Sequence, residues 1–247
     1  MSHQQPEWFE NWFGSPYYRM LYTHRNDIEA QTFIQNLLTF LHPTVGSKML
    51  DIACGEGRHS IQLASKGFEV TGIDISALSI SQAKKSEKDN LQFYVHDMRL
   101  PFCFNYYDFA FNCFTSFGYF AHNRDHEQAA KSFAGNLKRK GTLIVDYLNK
   151  NYSLQHLVPA ETIVREGITF SIKRRMTETH FLKEISFSDF NGKQRIYQER
   201  VAAFSIENFK EIFSKAGLEM ENVFGDYQLN KYCDNDSPRL VMVFKKI

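Results

Sequence analysis

The chain has 247 residues, 43% of them hydrophobic, enough to bury a full core as one elaborated domain. Its 29 Lys and Arg balance 28 Asp and Glu to a formal charge of +1, so it lacks the strongly basic balance of a nucleic-acid binder. No apolar run reaches the roughly 18 residues of a membrane span, and the opening MSHQQPEWFE lacks the basic-then-apolar order of a signal peptide. The expectation is a cytoplasmic protein with neither a membrane nor a nucleic-acid partner.

Residues 1–24 carry Trp8, Phe9, Trp12, Phe13, Tyr17, Tyr18 and Tyr22, too many aromatics for a disordered tail. From Asp27 to Leu41 the positions Ile28, Phe33, Ile34, Leu37, Leu38 and Leu41 follow helical spacing, and Pro43 with Gly46 ends the element. Met49, Leu50, Ile52 and Ala53 then form a short strand that runs into Cys54-Gly55-Glu56-Gly57, and Ile61, Leu63 and Ala64 recur at helical spacing after it. Gly67 stops this helix, and Phe68, Val70, Gly72 and Ile73 give a second buried strand closed by Asp74. The stretch is one βαβ unit.

The glycine turn brings backbone N–H groups close to a ligand, and Asp74, at the end of the neighbouring strand, is placed to accept both hydroxyls of a ribose. A dinucleotide fingerprint needs a third glycine below the pyrophosphate, where this chain has Ser60, and it tolerates an acid such as Glu56 poorly. An acidic loop suits a cofactor with a nucleoside, a cationic centre and an amino-acid tail, namely S-adenosylmethionine.

Further on, Ser76 is an N-cap residue for a helix through about Ser86, and Leu91–Val95 is a third strand followed by His96-Asp97-Met98. Tyr106–Phe114 reads as a buried fourth strand whose end, with Asn112 and Phe114, carries the other half of the site. A helix runs from Arg124 to about Leu137, with His122 and His126 in a solvated first turn; Lys140-Gly141 is the turn into a fifth strand through Tyr147. Asp146, Tyr147 and Asn149 at that strand's end read as substrate contacts. Residues 160–204 alternate as about three antiparallel strands, with Asn191-Gly192 as a two-residue hairpin turn. A helix from Ser205 to about Ala216 and a closing pair, Leu218–Phe224 with Leu240–Phe244, complete the chain. Cys54, Cys103, Cys113 and Cys233 show no C-x-x-C spacing and read as reduced, mostly buried thiols, with no metal site.

The segment Asp51-Ile52-Ala53-Cys54-Gly55-Glu56-Gly57-Arg58-His59 resembles the cofactor loop of class I S-adenosylmethionine-dependent methyltransferases. The resemblance implies an α/β, Rossmann-like seven-stranded sheet with helices on both faces, a closing antiparallel pair and an inserted antiparallel sheet. It divides the chain into an N-terminal lid and helix (1–47), the cofactor domain (48–159 and 205–247) and a substrate cover (160–204). Pro16–Arg25 resembles the lid of small-molecule members, which makes Tyr17 and Arg25 contacts for the methionine end of the cofactor. Asp51, Ala53, Cys54, Gly55 and Gly57 are its loop contacts, Asp74 the ribose contact, Ile75 and Met98 the adenine faces, and Asp97 the acceptor from the adenine amine. The inserted sheet is similar to that of glycine, sarcosine and amino-sugar N-methyltransferases, where it roofs the substrate or forms a homodimer contact.

The expected activity is methyl transfer to nitrogen or oxygen of a small molecule, with Tyr119, Tyr147 or His59 assisting proton loss. A cofactor-binding protein without turnover remains an alternative, and a nicotinamide-dependent dehydrogenase another, disfavoured by Ser60 and the acidic loop.

Overall fold

The computed structural model describes residues 7–22 and 27–247. Arg25 lies outside the described residues. The larger sheet has seven strands: β1 (Lys48–Ile52), β2 (Glu69–Asp74), β3 (Leu91–Val95), β4 (Tyr107–Asn112), β5 (Leu137–Leu148), β10 (Leu218–Phe224) and β11 (Arg239–Lys246). They lie in the order β10-β11-β5-β4-β1-β2-β3. All neighbours from β3 to β5 are parallel, and β11 runs antiparallel to both β5 and β10.

Alternate residues of a central strand face opposite layers, so both faces must be covered. Met49 points into a cluster with Phe33 and Leu37 of α3 (Asp27–Leu41), Leu63 of α4 (Arg58–Ser65) and Ile80 of α5 (Ala77–Ala83). Leu50 and Ile52 point the other way, to Phe133 of α6 (Asn123–Asn136) and Phe209 and Phe213 of α8 (Ile206–Ser214). Reversal of strand order between β1 and β4 opens a crevice beyond their carboxyl ends, where open α/β sheets bind ligands.

Helix α3 has the bounds its periodicity predicts, and the Ser76 hydroxyl caps α5 by accepting from Ser79 N–H. Three expectations are corrected. Lys140-Gly141 is an irregularity inside β5 rather than a turn into it, because the chain already pairs with β4 at Leu137 and only slips register before Thr142. The smaller sheet has four antiparallel strands, not three: β6 (Ala160–Arg165), β7 (Ile168–Met176), β8 (His180–Ser188) and β9 (Gln194–Ala202), in that order. Its first strand is an edge that buries little, so its sequence shows no clean alternation. Finally, Asn191-Gly192 sits in a longer hairpin closed by Asp189 N–H to Lys193 C=O, with Gly192 at φ 75°. The Asp189 carboxylate accepts from the N–H groups of Asn191 and Lys193, which favours this loop over a two-residue turn.

Helices α1 (Trp8–Phe13) and α2 (Pro16–Tyr22) account for the aromatic N-terminus. Trp12 and Leu21 bury against Ile168, Phe170, Ile172, Ile185 and Phe187 of the smaller sheet, forming a third core. The pair of helices therefore lies between the small sheet and the crevice. Among the described residues no helix is long and apolar enough to cross a membrane.

Candidate active site

The chain turns sharply after β1. Ala53 takes φ 59° and Gly57 φ 82°, and a Cβ at Gly57 would lie 2.4 Å from the Phe93 ring, so this position requires glycine on two counts. The Asp74 carboxylate at the end of β2 fastens the turn, accepting from Gly55 N–H at 2.9 Å and from Ser76 N–H at 2.8 Å. Asp51, at 1% exposure, accepts from the Ser60 hydroxyl at 2.6 Å. Ser60 thus stands where a dinucleotide site needs glycine because it serves this carboxylate.

These groups open into a cavity of about 620 Å³. Among the sequence-predicted residues, Asp51, Ala53, Cys54, Gly55, His59 and Asp74 line it from β1, the turn that follows it, α4 and the end of β2. Ile75, Asp97, Met98, Phe114 and Tyr119 line it from the loops that follow β2, β3 and β4. Four others do not. Gly57 supports the turn from behind; Asn112 is buried and donates to Ile52 C=O, joining the ends of β4 and β1. Tyr17 packs its ring at a tilt against Phe187 of the small sheet, 4.7 Å between centroids. Tyr147 is fully buried and donates its hydroxyl to Ala202 C=O, so it secures the exit of the small sheet rather than facing the cavity.

The residues expected as substrate contacts beside Tyr147 are also structural. Asn149 caps α7 (Lys150–Gln155) and donates to the carbonyls of Asp234 and Ser237. Asp146, fully buried, accepts from Arg239 Nε at 2.8 Å, Tyr227 O–H at 3.1 Å and Phe114 N–H at 2.7 Å. Thr115 N–H donates to the Asp146 carbonyl, and Arg239 also donates to the Thr115 hydroxyl. This hub holds Phe114 and Thr115 at φ 59° and 58°, left-handed conformations that cost about 1–3 kcal/mol each without such support. It delivers the Phe114 ring to the cavity, where His59 stacks on it at 4.9 Å and the Arg58 guanidinium lies over it at 4.8 Å.

Electrostatics distinguish the carboxylates. Burial, with a smaller contribution from Asp74, pushes Asp51 up to about 7 against the pull of its Ser60 hydrogen bonds. Asp74 is also raised by burial, opposed by the Ser76 and Gly55 N–H groups. Asp97 is held differently: Arg99 donates to both its oxygens and pairs through Nη2 with Glu7 at 2.8 Å. That link runs from the strand-end loop to the N-terminal segment, and no local spacing announces it. The Cys113 thiol, at the cavity wall, is pushed up by burial and then by Asp146 and Asp51, which keeps it protonated. Of the four thiols expected to be mostly buried, Cys54 and Cys113 are buried, Cys103 is half-buried, and Cys233 is exposed and hydrogen-bonds Asp236. His126 is likewise no solvated residue: it lies against Phe117, Phe120 and Phe204, and burial lowers it to about 4.

Sequence reasoning missed the wall contributed by α1, α2 and the small sheet: Phe13, Tyr18, Arg19, Tyr22 and Glu199. Arg19 pairs with Glu56 of the glycine turn at 3.0 Å. The aromatic density of the N-terminus was the available signal, whereas Glu199 had none of its own.

The donor set suits S-adenosylmethionine. Asp51 and Asp74 are buried carboxylates at the cavity wall, the chemistry that a cationic centre and ribose hydroxyls call for, and a Cβ at Gly55 would meet no protein atom, so a ligand can approach the backbone closely there. Comparison with known proteins agrees. The sequence profile of a methyltransferase-domain family matches residues 43–217. The chain is 30% identical over 192 residues to YqeM of Bacillus subtilis (strain 168), which carries a methyltransferase name, covering 73% of this chain and 76% of that one. It is 26% identical over 191 residues to a dTDP-3-amino-3,6-dideoxy-alpha-D-glucopyranose N,N-dimethyltransferase of Streptomyces fradiae, covering 73% of each. A crystal structure of an S-adenosylmethionine-dependent methyltransferase from Clostridium acetobutylicum ATCC 824 superposes with TM-score 0.77 at 19% identity, covering 95% of this chain and 98% of that one. The chain belongs to the methyltransferase-domain family and is a class I S-adenosylmethionine-dependent methyltransferase.

Proposed function

We propose that the enzyme transfers the methyl group to nitrogen or oxygen of a small molecule. The observation that carries this reading is the wall that α1, α2 and β9 add to the cavity through Phe13, Tyr18, Tyr22 and Glu199, which leaves a half-open pocket rather than a flat groove. A chamber of about 620 Å³ is within the range of small-molecule sites. The Streptomyces fradiae relative, named for an amino sugar, supports the same class of acceptor.

In this reading Asp74 accepts from the ribose hydroxyls, Ile75 and Met98 flank the adenine, and Asp51 faces the cationic part of the cofactor. Asp97, pinned by Arg99, presents a fixed edge to the adenine amine. Tyr18 and Arg19 take the place at the methionine end expected of Tyr17. S-adenosylmethionine supplies an electrophilic methyl group. The protein's task is to align the acceptor and exclude water, and such positioning is worth roughly 7–11 kcal/mol without a dedicated acid or base. Tyr119 and His59 are the groups of the expected set that line the cavity, where a neutral imidazole can take a proton and a phenol can hydrogen-bond the acceptor atom.

The functional units follow the same division: residues 1–47 as lid and first helix, 48–159 with 205–247 as the cofactor domain, and 160–204 as substrate cover. The cytoplasm is the proposed location. A homodimer through the outer face of the small sheet, where Val164 and Ile196 are exposed, belongs to the proposal and is read by light scattering on the eluting protein.

The test is release of S-adenosylhomocysteine over a panel of amines, phenols and carboxylates, with cofactor binding measured calorimetrically in parallel. Tight binding without turnover on any acceptor would favour a binding protein.

A further inference from the structure

The inner face of the small sheet breaks its own pattern twice, at Arg195, which is held by Asp189, and across one whole register row. Inward positions along β7, β8 and β9 carry Phe170, Ile172, Ile185, Phe187 and Tyr197, which pack on α1 and α2 as a half-buried face requires. One register row is charged: Arg174 lies opposite Lys183, and Lys183 opposite Glu199. Charges on a covered face cost desolvation and are retained where they serve a purpose. Arg174 is paired with Glu161 on β6. Lys183 and Glu199, with side chains 15% and 17% exposed, face the N-terminal helices, and Glu199 reaches the cavity.

The two oxygens of Glu199 are used unequally. Oε1 accepts both from Trp12 Nε1–H at 2.8 Å and from Tyr22 O–H at 2.7 Å. Oε2 has Lys183 Nζ at 3.7 Å, beyond hydrogen-bond length, and so retains accepting capacity. The fully buried indole of Trp12 locks the carboxylate in place. Beside it the rings of Phe13, Tyr18, Tyr22 and Tyr119 succeed one another: 4.9 Å from Phe13 to Tyr18, 4.8 Å from Tyr18 to Tyr22 and 5.3 Å from Phe13 to Tyr119. A fixed carboxylate among aromatic faces is the set of groups that a small organic cation takes.

We propose that Glu199 is the specificity-determining residue for the methyl acceptor and that this acceptor is a small amine, its N–H directed at Glu199 Oε2 and its carbons against the rings. The inference rests on the small-molecule reading above and narrows it. The acceptor ammonium first sheds a proton to water. Its nitrogen lone pair then forms the N–C bond while the C–S bond breaks with its electron pair going to sulfur. Positive charge passes from sulfur to nitrogen, and a carboxylate beside the nitrogen gains interaction as that charge arrives. The same carboxylate opposes a phenolate or carboxylate acceptor, whose negative charge would be desolvated next to it.

The probes are cyclohexylammonium, cyclohexanol and cyclohexanecarboxylate, titrated by ligand-detected NMR into the full chain saturated with S-adenosylhomocysteine. Saturable binding of the ammonium, weakened at least tenfold in Glu199→Gln, is expected, with the carboxylate not binding. Glutamine keeps an oxygen for Trp12 and Tyr22, so the fold is spared. Lys183→Met removes a competing cation and is expected to leave ammonium affinity unchanged or raise it. A Glu199 that merely props α1 would give equal losses in both variants, which overturns the proposal. So do absence of ammonium binding, equal binding to wild type and Glu199→Gln, and preference for the carboxylate. Calorimetry of S-adenosylmethionine with the wild type separates the two levels: no cofactor binding refutes the methyl-transfer site, and intact binding with any of these outcomes refutes Glu199 alone.

Discussion

Replacing Ser60 by alanine tests whether Asp51 meets the cofactor's cation. The Ser60 hydroxyl donates at 2.6 Å to a carboxylate that is fully buried and already raised to about 7. Losing a hydrogen bond to a charged group costs about 1.5–3 kcal/mol, which raises that carboxyl by a further one to two units. At pH 7.5 about three quarters of the wild-type carboxyl is ionised, against roughly 3–25% in the variant. If only the ionised form holds the cation, S-adenosylmethionine binds the variant about 3- to 25-fold more weakly at that pH, and the two proteins converge above about pH 9.5. The ligand's own titration is common to both, so the ratio of dissociation constants from calorimetry reports Asp51. A ratio of one at pH 7.5, or a ratio that does not change with pH, refutes the reasoning. The ligand-free protein responds in the opposite sense. A carboxyl raised in the folded state contributes stability that is complete below its unfolded value of 3.8 and lost as pH rises through about 7. Relative to Asp51→Asn, wild type therefore loses stability across that window.

Asp74→Ala removes the acceptor of two backbone N–H groups and the proposed ribose contact; S-adenosylmethionine affinity is expected to fall by about 1–3 kcal/mol, and calorimetry at constant pH checks it. Arg239→Met leaves Asp146 buried without its cation, and urea unfolding should show a loss of about 3–5 kcal/mol. Lowered to about 4 by burial, His126 contributes stability that is present above its unfolded value of 6.5 and lost as pH falls towards 4. Acid titration of His126→Phe should lack that loss, up to about 3 kcal/mol at pH 4, with thermal unfolding as the readout.

The sequence by itself determined the cofactor half of this protein. Asp51, the glycine turn, Ser60 and Asp74 lie within 24 residues, and their geometry follows from one strand, one turn and one helix whose local preferences agree. Helix α3 and the cap at Ser76 were legible for the same reason: the interactions that fix them lie within a few residues. Tertiary structure alone decided the cavity wall formed by α1, α2 and β9. Glu199 is 177 residues from Tyr22 and 187 from Trp12, and no periodicity links them. Tyr147 and Asp146 sit at the end of a parallel strand, the usual functional edge, and yet turn into packing, because Arg239 and Ala202 arrive from far along the chain to claim them. Which way an end-of-strand side chain faces depends on the partner that covers it, and that partner is set only when the sheets and helices have packed.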